Sequence, residues 1–431
     1  MKKTLLLSAM ILMAIFATNA QDVIKLGVND SIGYAVKNYT GTATSLTVVV
    51  PSGYTSPEAL YPAGAATSPK TITLAPPTTV TKITIKGDGT NPTLRCKLVS
   101  TPAYLSLIKF DGLNVQGATS DPTVNYVMNF PATTAVTLDS VVFTNCSFNT
   151  FRSLLRFQNA NAATSATQKA NNIIINNCVV SNFADYGVTY NSTTGGFFGA
   201  VKVAKSTFYG FGATVFMLQK NSTSIDITDC SFDNVVGTSG KGIVDCGSMV
   251  ANVTFTNCIL GKAQAAGAIT IKTGGTLTIT NSYYTTDWTG STSTATAGIT
   301  GALTAYTGAS TDLFTTVSVS TAAVAGPPAI PYTTTVGNYK IKDATFAGKN
   351  SVGDPRWYYN SIQAVNSVLA DKGVSFNGTE VVNSKGLDIE VYNMLGKKVA
   401  TSKTNISTTN FTKGIYVVRV NGINDSLKFS I

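Results

Sequence analysis

One eight-residue shape returns four times in this chain of 431 residues, each time with an Asn or Asp directly before a Cys: VVFTNCSF (141–148), IIINNCVV (173–180), IDITDCSF (225–232) and VTFTNCIL (253–260). An amide or carboxylate beside a thiol, repeated, is compatible with a metal centre, a disulfide framework or a repeating fold. A metal site of thiolates calls for paired spacing such as C-x-x-C, which the sequence lacks. The chain has no histidine at all. That removes a Ser-His-Asp triad, a Cys-His pair and any zinc site that needs imidazole. Six Cys in a secreted chain would ordinarily suggest disulfides. Here, however, Cys146, Cys178, Cys230 and Cys258 share one position of the repeat, and that position points inward. All six, with Cys96 and Cys246, are therefore expected to be free, as small apolar fillers.

The elements behind this spacing emerge when the rows are aligned on the Cys. To the four above are added IKFDGLNV (108–115), VKVAKSTF (201–208), LTITNSYY (277–284) and YKIKDATF (339–346), with Leu113, Ser206, Ser282 and Ala344 in the Cys slot. Two residues after the slot stand Val115, Phe148, Val180, Phe208, Phe232, Leu260, Tyr284 and Phe346. Three before it stand Phe110, Phe143, Ile175, Val203, Ile227, Phe255, Ile279 and Ile341. Apolar residues at alternate positions face inward from strands. The template stays fixed while the interval between rows varies, the mark of a solenoid with loops of different length. A further strand is legible in each gap: LLRFQ (154–158), GVTYN (187–191), VFMLQ (215–219), IVDCG (243–247) and AITIK (268–272). These features predict an all-β chain, with a parallel β-helix whose coils stack about 4.8 Å apart.

Composition agrees. Only 12% of residues are charged and 37 are Gly. The net charge of +10 is spread thinly, with no basic block interleaved with aromatics, so no nucleic-acid partner is expected. A mild attraction to acidic polysaccharide remains compatible with it. Met1–Ala20 joins Lys2 and Lys3 to the apolar run LLLSAMILMAIFA and a small-residue end, a signal peptide and not a membrane anchor. The expected organisation is 1–20 signal peptide, 21–357 β-helix with irregular first coils covering the open end, 358–369 linker and 370–431 a small β-sandwich.

The repeat resembles the right-handed parallel β-helix of the pectate-lyase-like superfamily, in which a stacked Asn column turns the chain between two strands. The matching positions are Asn145, Asn177, Asp229, Asn257 and Asn281, with Lys205 breaking the column. The ending GKNSVGDPRW (348–357) resembles the close of β-helix domains found beside polysaccharide-utilisation proteins. After it, Ile389, Val391, Tyr392, Asn393, Leu395, Gly396 and Lys397, then Lys413, Gly414, Ile415, Tyr416, Val417 and Val420, then Lys428 and Phe429, resemble the type IX secretion C-terminal sorting domain. That resemblance implies export across the outer membrane, the secretion machinery as partner, and release or display at the cell surface.

The first resemblance also places a cleft on the LLRFQ-type strands. Alternation then points Arg156, Gln158, Thr189, Asn191, Met217, Gln219, Asp245, Thr270 and Lys272 outward. Arg156, Gln158, Asn191, Gln219 and Lys272 offer donors and acceptors suited to a glycan. A calcium-dependent lyase would need several carboxylates, and this face has only Asp245, with Asp185 and Asp233 expected in loops beside it. Arg156 or Lys220 would be the base. A glycosidase would need a carboxylate pair, for which Asp233 and Asp245 are the candidates. As turn and solvated-strand residues, these carboxylates carry a bland reading too. Lys202 above Asp226 reads as a cross-strand ion pair. The expected function is binding of a polysaccharide, acidic for preference, by a monomer with no cofactor. The alternatives are a pectate-lyase-like enzyme on acidic glycans, the one case that requires calcium, and a surface adhesin with a protein partner.

Overall fold

The computed structural model describes residues 21–431 except 55–70, 95–96, 101–104, 118–125, 131–135, 158–167, 191–196, 219–221, 236–241, 247–249, 264–268, 272–273, 290–297, 317–321, 324–330, 333–337, 360–368, 370–371, 377–379 and 424–425. Cys96, Gln158, Asn191, Gln219, Lys220, Lys272 and the stretch read as a signal peptide lie outside the described residues. The chain divides into two compact units, one ending at Tyr359 and the other beginning at Asn360.

The first unit is a parallel β-helix. Among the described residues a complete coil contributes a strand to a first sheet of eleven strands, then to a second sheet of nine, then to a third of eight, before returning to the first; coils at the two ends lack one or two of these strands. One full coil runs through Gln168–Asn176, Val179–Phe183 and Val188–Tyr190. The register is constant from coil to coil: Phe143 pairs with Ile175, Ile175 with Val203, Val203 with Ile227, Ile227 with Phe255 and Phe255 with Ile279. Inside, like side chains stack on like. Phe130, Phe157 and Tyr190 lie 4.9 and 5.7 Å apart between ring centroids, and Phe151, Phe183 and Phe211 lie 6.0 and 5.3 Å apart.

Two turns make the coil possible. At the first, Asn145, Asn177, Lys205, Asp229, Asn257 and Asn281 all have φ between 44° and 55°. Lys205 thus keeps the bend although its side chain cannot continue the amide ladder. Asn177 Nδ2 donates to Asn145 Oδ1 at 2.8 Å, and Asn145 Nδ2 to Asp111 Oδ1 at 2.8 Å. Asn281 donates to Asn257 at 2.9 Å and Asn257 to Asp229 at 3.0 Å. Both runs end on a carboxylate, which accepts but cannot donate onward. At the second turn Thr150, Asn182, Gly210 and Asn234 also take positive φ. The sequence reading did not detect this column, because its residue types do not repeat.

The Cys column is as expected. Cys146, Cys178, Cys230, Cys246 and Cys258 are free and buried. Each thiol of the four in the column points to the carbonyl two residues back: Cys146 to Thr144 at 3.0 Å, Cys178 to Asn176 at 3.3 Å, Cys230 to Thr228 at 3.2 Å and Cys258 to Thr256 at 3.3 Å. Ser206 and Ser282 make the same bond at 2.7 and 2.9 Å. The slot asks for a small side chain that can donate to its own strand. Lys202 and Asp226 are register partners on the outer face of the first sheet, where Asp226 accepts from Ser224 at 2.8 Å.

Two features differ from expectation. The row YKIKDATF is not a coil: Asn338–Ile341 pairs antiparallel with Phe314–Thr316. Its alternating apolar residues serve another surface. Tyr339, Ile341 and Phe346 join Tyr306, Leu313, Phe314, Val352 and Trp357 in a second core over Val179, Tyr209 and Ile259, on the outside of the second sheet. Among the described residues the last coil is instead Gly298–Thr300 and Thr304–Ala305. At the other end the first coils carry a short helix, α1 (Ile32–Lys37), capped by Ser31 and burying Ile32 and Val36.

GDPRW fastens the outer segment. Asp354 is 1% exposed and pairs with Arg356, which donates through Nη2 to Cys178 O at 2.6 Å and Lys205 O at 3.3 Å. Asp354 Oδ2 accepts from Thr207 Oγ1 at 2.6 Å, and Trp357 Nε1 donates to the same hydroxyl oxygen at 2.8 Å. Gly353 has φ 84°, and a Cβ there would lie 2.7 Å from Ser231 Oγ, so neither conformation nor space admits a side chain.

The second unit has a four-stranded antiparallel sheet, in the order Lys398–Ser402, Ile389–Asn393, Ile415–Val420, Ser426–Ser430, and a three-stranded one. They share a core that includes Val374, Val381, Ile389, Val391, Val418 and Phe429. In its first motif Asn393 Oδ1 accepts from the amides of Leu395 and Lys397 at 3.1 and 3.0 Å, closing the turn around Gly396 at φ 76°.

Candidate functional site

The strands expected to bear the site form the third sheet. Alternation along them is as read: Leu155, Phe157, Val188, Tyr190, Phe216, Leu218, Val244, Cys246, Ile269 and Ile271 are buried inside the coil. On the outward side the register sets Asn129, Arg156, Thr189, Met217 and Asp245 one above another. Arg156 is therefore in line with Thr189 and Met217, and not with Asn191.

Arg156 stands at the centre of a cluster. Its Nη1 donates to Tyr126 Oη and its guanidinium carbon lies 4.7 Å from the centroid of that ring. Arg152 lies 5.7 Å from the same ring, and its Nε bonds Asp185 Oδ2 at 2.5 Å. Arg152 keeps 41% of its side chain exposed and Asp185 24%. Burial, and then the negative charge of Asp185, push the Tyr186 phenol up from its ordinary pKa, so Tyr186 stays protonated at neutral pH and is a donor. Beside Arg156 in the row, Asn129 Oδ1 and Thr189 Oγ1 are buried with no hydrogen-bond partner among the described residues. A buried polar atom left unpaired costs free energy, about 1–3 kcal/mol.

Of the catalytic candidates, Arg156 belongs to this cluster, and Asp185, in the connection between Val179–Phe183 and Val188–Tyr190 beside this face as expected, joins it through Arg152. Asp245 is fully buried instead of solvated. Asp233 is not beside the cleft: it lies in Ser231–Val235 of the second sheet, 1% exposed, under the outer segment. Its Oδ1 accepts from Lys262 N at 2.9 Å. Burial, aided by Asp287, raises its pKa to about 6. Asp233 and Asp245 thus sit on different sheets and do not make a carboxylate pair for a glycosidase. Among the described residues no group of three or more His, Cys, Asp or Glu could hold a metal ion. Gln158, Asn191, Gln219, Lys220 and Lys272 lie outside the described residues.

The sequence reading missed Arg152, Tyr126, Tyr186 and Asn129. Arg152 and Tyr186 occupy the turns leading into third-sheet strands, where alternation gives no direction. Tyr126 and Asn129 lie on Tyr126–Phe130, the third-sheet strand that follows the row 108–115, and no strand was assigned to that gap.

Residues 373–431 match a protein family described as "Secretion system C-terminal sorting domain". The tail is a type IX sorting domain, so the protein is exported by that machinery and resides at the outer-membrane surface or in the medium. No helix among the described residues is long and apolar enough to cross a membrane. Searches of curated proteins and of solved structures find no match to the chain.

Proposed function

We propose that the β-helix binds an acidic polysaccharide along the outer face of its third sheet, without cleaving it. The observation that carries this reading is the cluster around Arg156. Two guanidiniums approach one tyrosine ring, and Asn129 and Thr189 on the neighbouring coils hold buried oxygens without a hydrogen-bond partner among the described residues. Planar guanidinium groups suit carboxylate or sulfate geometry and bond it more strongly than neutral donors do. Rungs repeating about every 4.8 Å offer a chain ligand hydrogen bonds on successive coils. Aromatic and cationic groups together suit a uronate better than a neutral sugar.

The lyase reading finds less support. Asp245 is buried, and Tyr186 is held protonated, a state suited to an acid and not to a base. The test is incubation of the full chain with polyuronate, sulfated and neutral polysaccharides. Retention in acidic gels with no new unsaturated or reducing ends is expected. Unsaturated ends that disappear on Asp245→Asn would establish the enzyme instead. Retention by none of them would bring the adhesin forward.

A further inference from the structure

A concave surface lies on the first coil and differs from the arginine cluster in charge character, with Asp30 among its lining residues. Ile24, Leu26 and Ala35 form its floor, Tyr34 and Tyr39 its aromatic sides, and Asp30, Ser31, Asn38 and Thr40 its polar rim. Its volume of about 480 Å³ falls within the range of small-ligand pockets. Tyr34 is 68% exposed although it sits on α1, whose other face buries Ile32 and Val36. An aromatic ring held out in this way costs the fold hydrophobic burial and leaves a flat face for a ligand.

The second tyrosine is fixed. Tyr39 Oη donates to Asp22 Oδ2 at 2.5 Å and accepts from Ala43 N at 3.0 Å, and its ring packs on the solenoid core. Burial, then Asp22, raise its pKa, which keeps it a neutral donor. Gly41 makes this arrangement possible: a Cβ there would fall 2.1 Å from Tyr39 Oη and 2.5 Å from Asp22 Oδ2. On the rim, Ser31 Oγ accepts from Tyr34 N, so its hydroxyl hydrogen can be given to a ligand. Asn38 gives one amide hydrogen to Tyr34 O and has a carbonyl oxygen to offer. Asp30 takes Gly27 N through Oδ2 and has a second oxygen.

We infer that this pocket is a binding site for a neutral sugar, separate from the arginine cluster. Tyrosine faces cover the C–H faces of a pyranose, while a carboxylate, an amide and hydroxyls satisfy its hydroxyl groups. Among the described residues no Lys or Arg lines the pocket. Asp30 on its rim repels a uronate, so the two sites select different residues of a mixed glycan. Calorimetric titration of the full chain with neutral hexasaccharides of glucose, xylose and mannose, and with hexagalacturonate, tests this. At least one neutral ligand is expected to bind. Its affinity should fall roughly tenfold on Tyr34→Ala, an exposed substitution that spares the fold, and similarly on Gly41→Ala, and stay unchanged on Arg156→Ala. Failure of all three neutral ligands to bind, or binding unaltered by Tyr34→Ala, overturns the inference. Loss of hexagalacturonate binding in Arg156→Ala bears on the other site alone.

Discussion

At the scale of single residues, the Cys slot shows how little chemistry a repeated thiol needs to imply. Burial raises the thiols of Cys178, Cys246 and Cys258 to about 12, so they are neither nucleophiles nor ready metal ligands. The native protein is expected to ignore a thiol reagent that titrates all six Cys after unfolding without reductant; disulfides by mass spectrometry would contradict this. Cys178→Ser should be tolerated, because Ser206 and Ser282 fill the same slot with the same bond. Cys178→Ala should cost about 1–2 kcal/mol, and Cys178→Arg should block folding of the central coils. Asp233 makes a different prediction. Its folded pKa of about 6 lies above the ordinary value of 3.8. Its burial therefore costs nothing at pH below the ordinary value, where both states are protonated, and the penalty grows to about 3 kcal/mol above pH 6. The neighbouring Asp287 adds to that penalty, while Tyr339 stays neutral through this range. Melting temperature should fall as pH rises from 4 to about 6, and Asp233→Asn should flatten that part of the profile. A profile unchanged by the substitution would contradict the assignment.

At the scale of elements, strands were legible wherever one residue type repeated at a fixed offset. The Asn turn, the Cys slot and the flanking apolar columns each gave register, so the first and second sheets could be read row by row. The second turn was not legible, since Thr150, Asn182, Gly210 and Asn234 share a backbone angle and not a chemistry. YKIKDATF misled because alternation reports that one face is buried without saying against what; Tyr339 and Ile341 are buried against the outside of the solenoid. The arginine cluster was half legible: Arg156 follows from alternation, but Arg152 and Tyr186 lie on turns. The outer segment itself depends on Arg356. Arg356→Ala leaves Asp354 buried without its cation and should destabilise the unit by about 3–5 kcal/mol. Limited proteolysis should then cut between Tyr306 and Trp357 before the coils. Simultaneous loss of coils and outer segment would mean that the segment is not a separable layer.

At the scale of the whole molecule, work and address are divided between two units. The sorting motifs lie wholly in the second unit, which has a core of its own. Deleting 360–431 should leave a folded β-helix that stays in the periplasm, whereas arrival of the truncated protein at the surface or in the medium would contradict the division. What the exported solenoid does there is the central claim, and retention of the full chain on a polyuronate gel tests it most directly. Arg156→Ala is expected to weaken retention roughly tenfold, as expected for one charge-assisted contact of about 1.5 kcal/mol, and added salt should reproduce the loss in the unaltered protein. Equal retention of the two proteins at low salt would place the glycan on another face or remove it altogether.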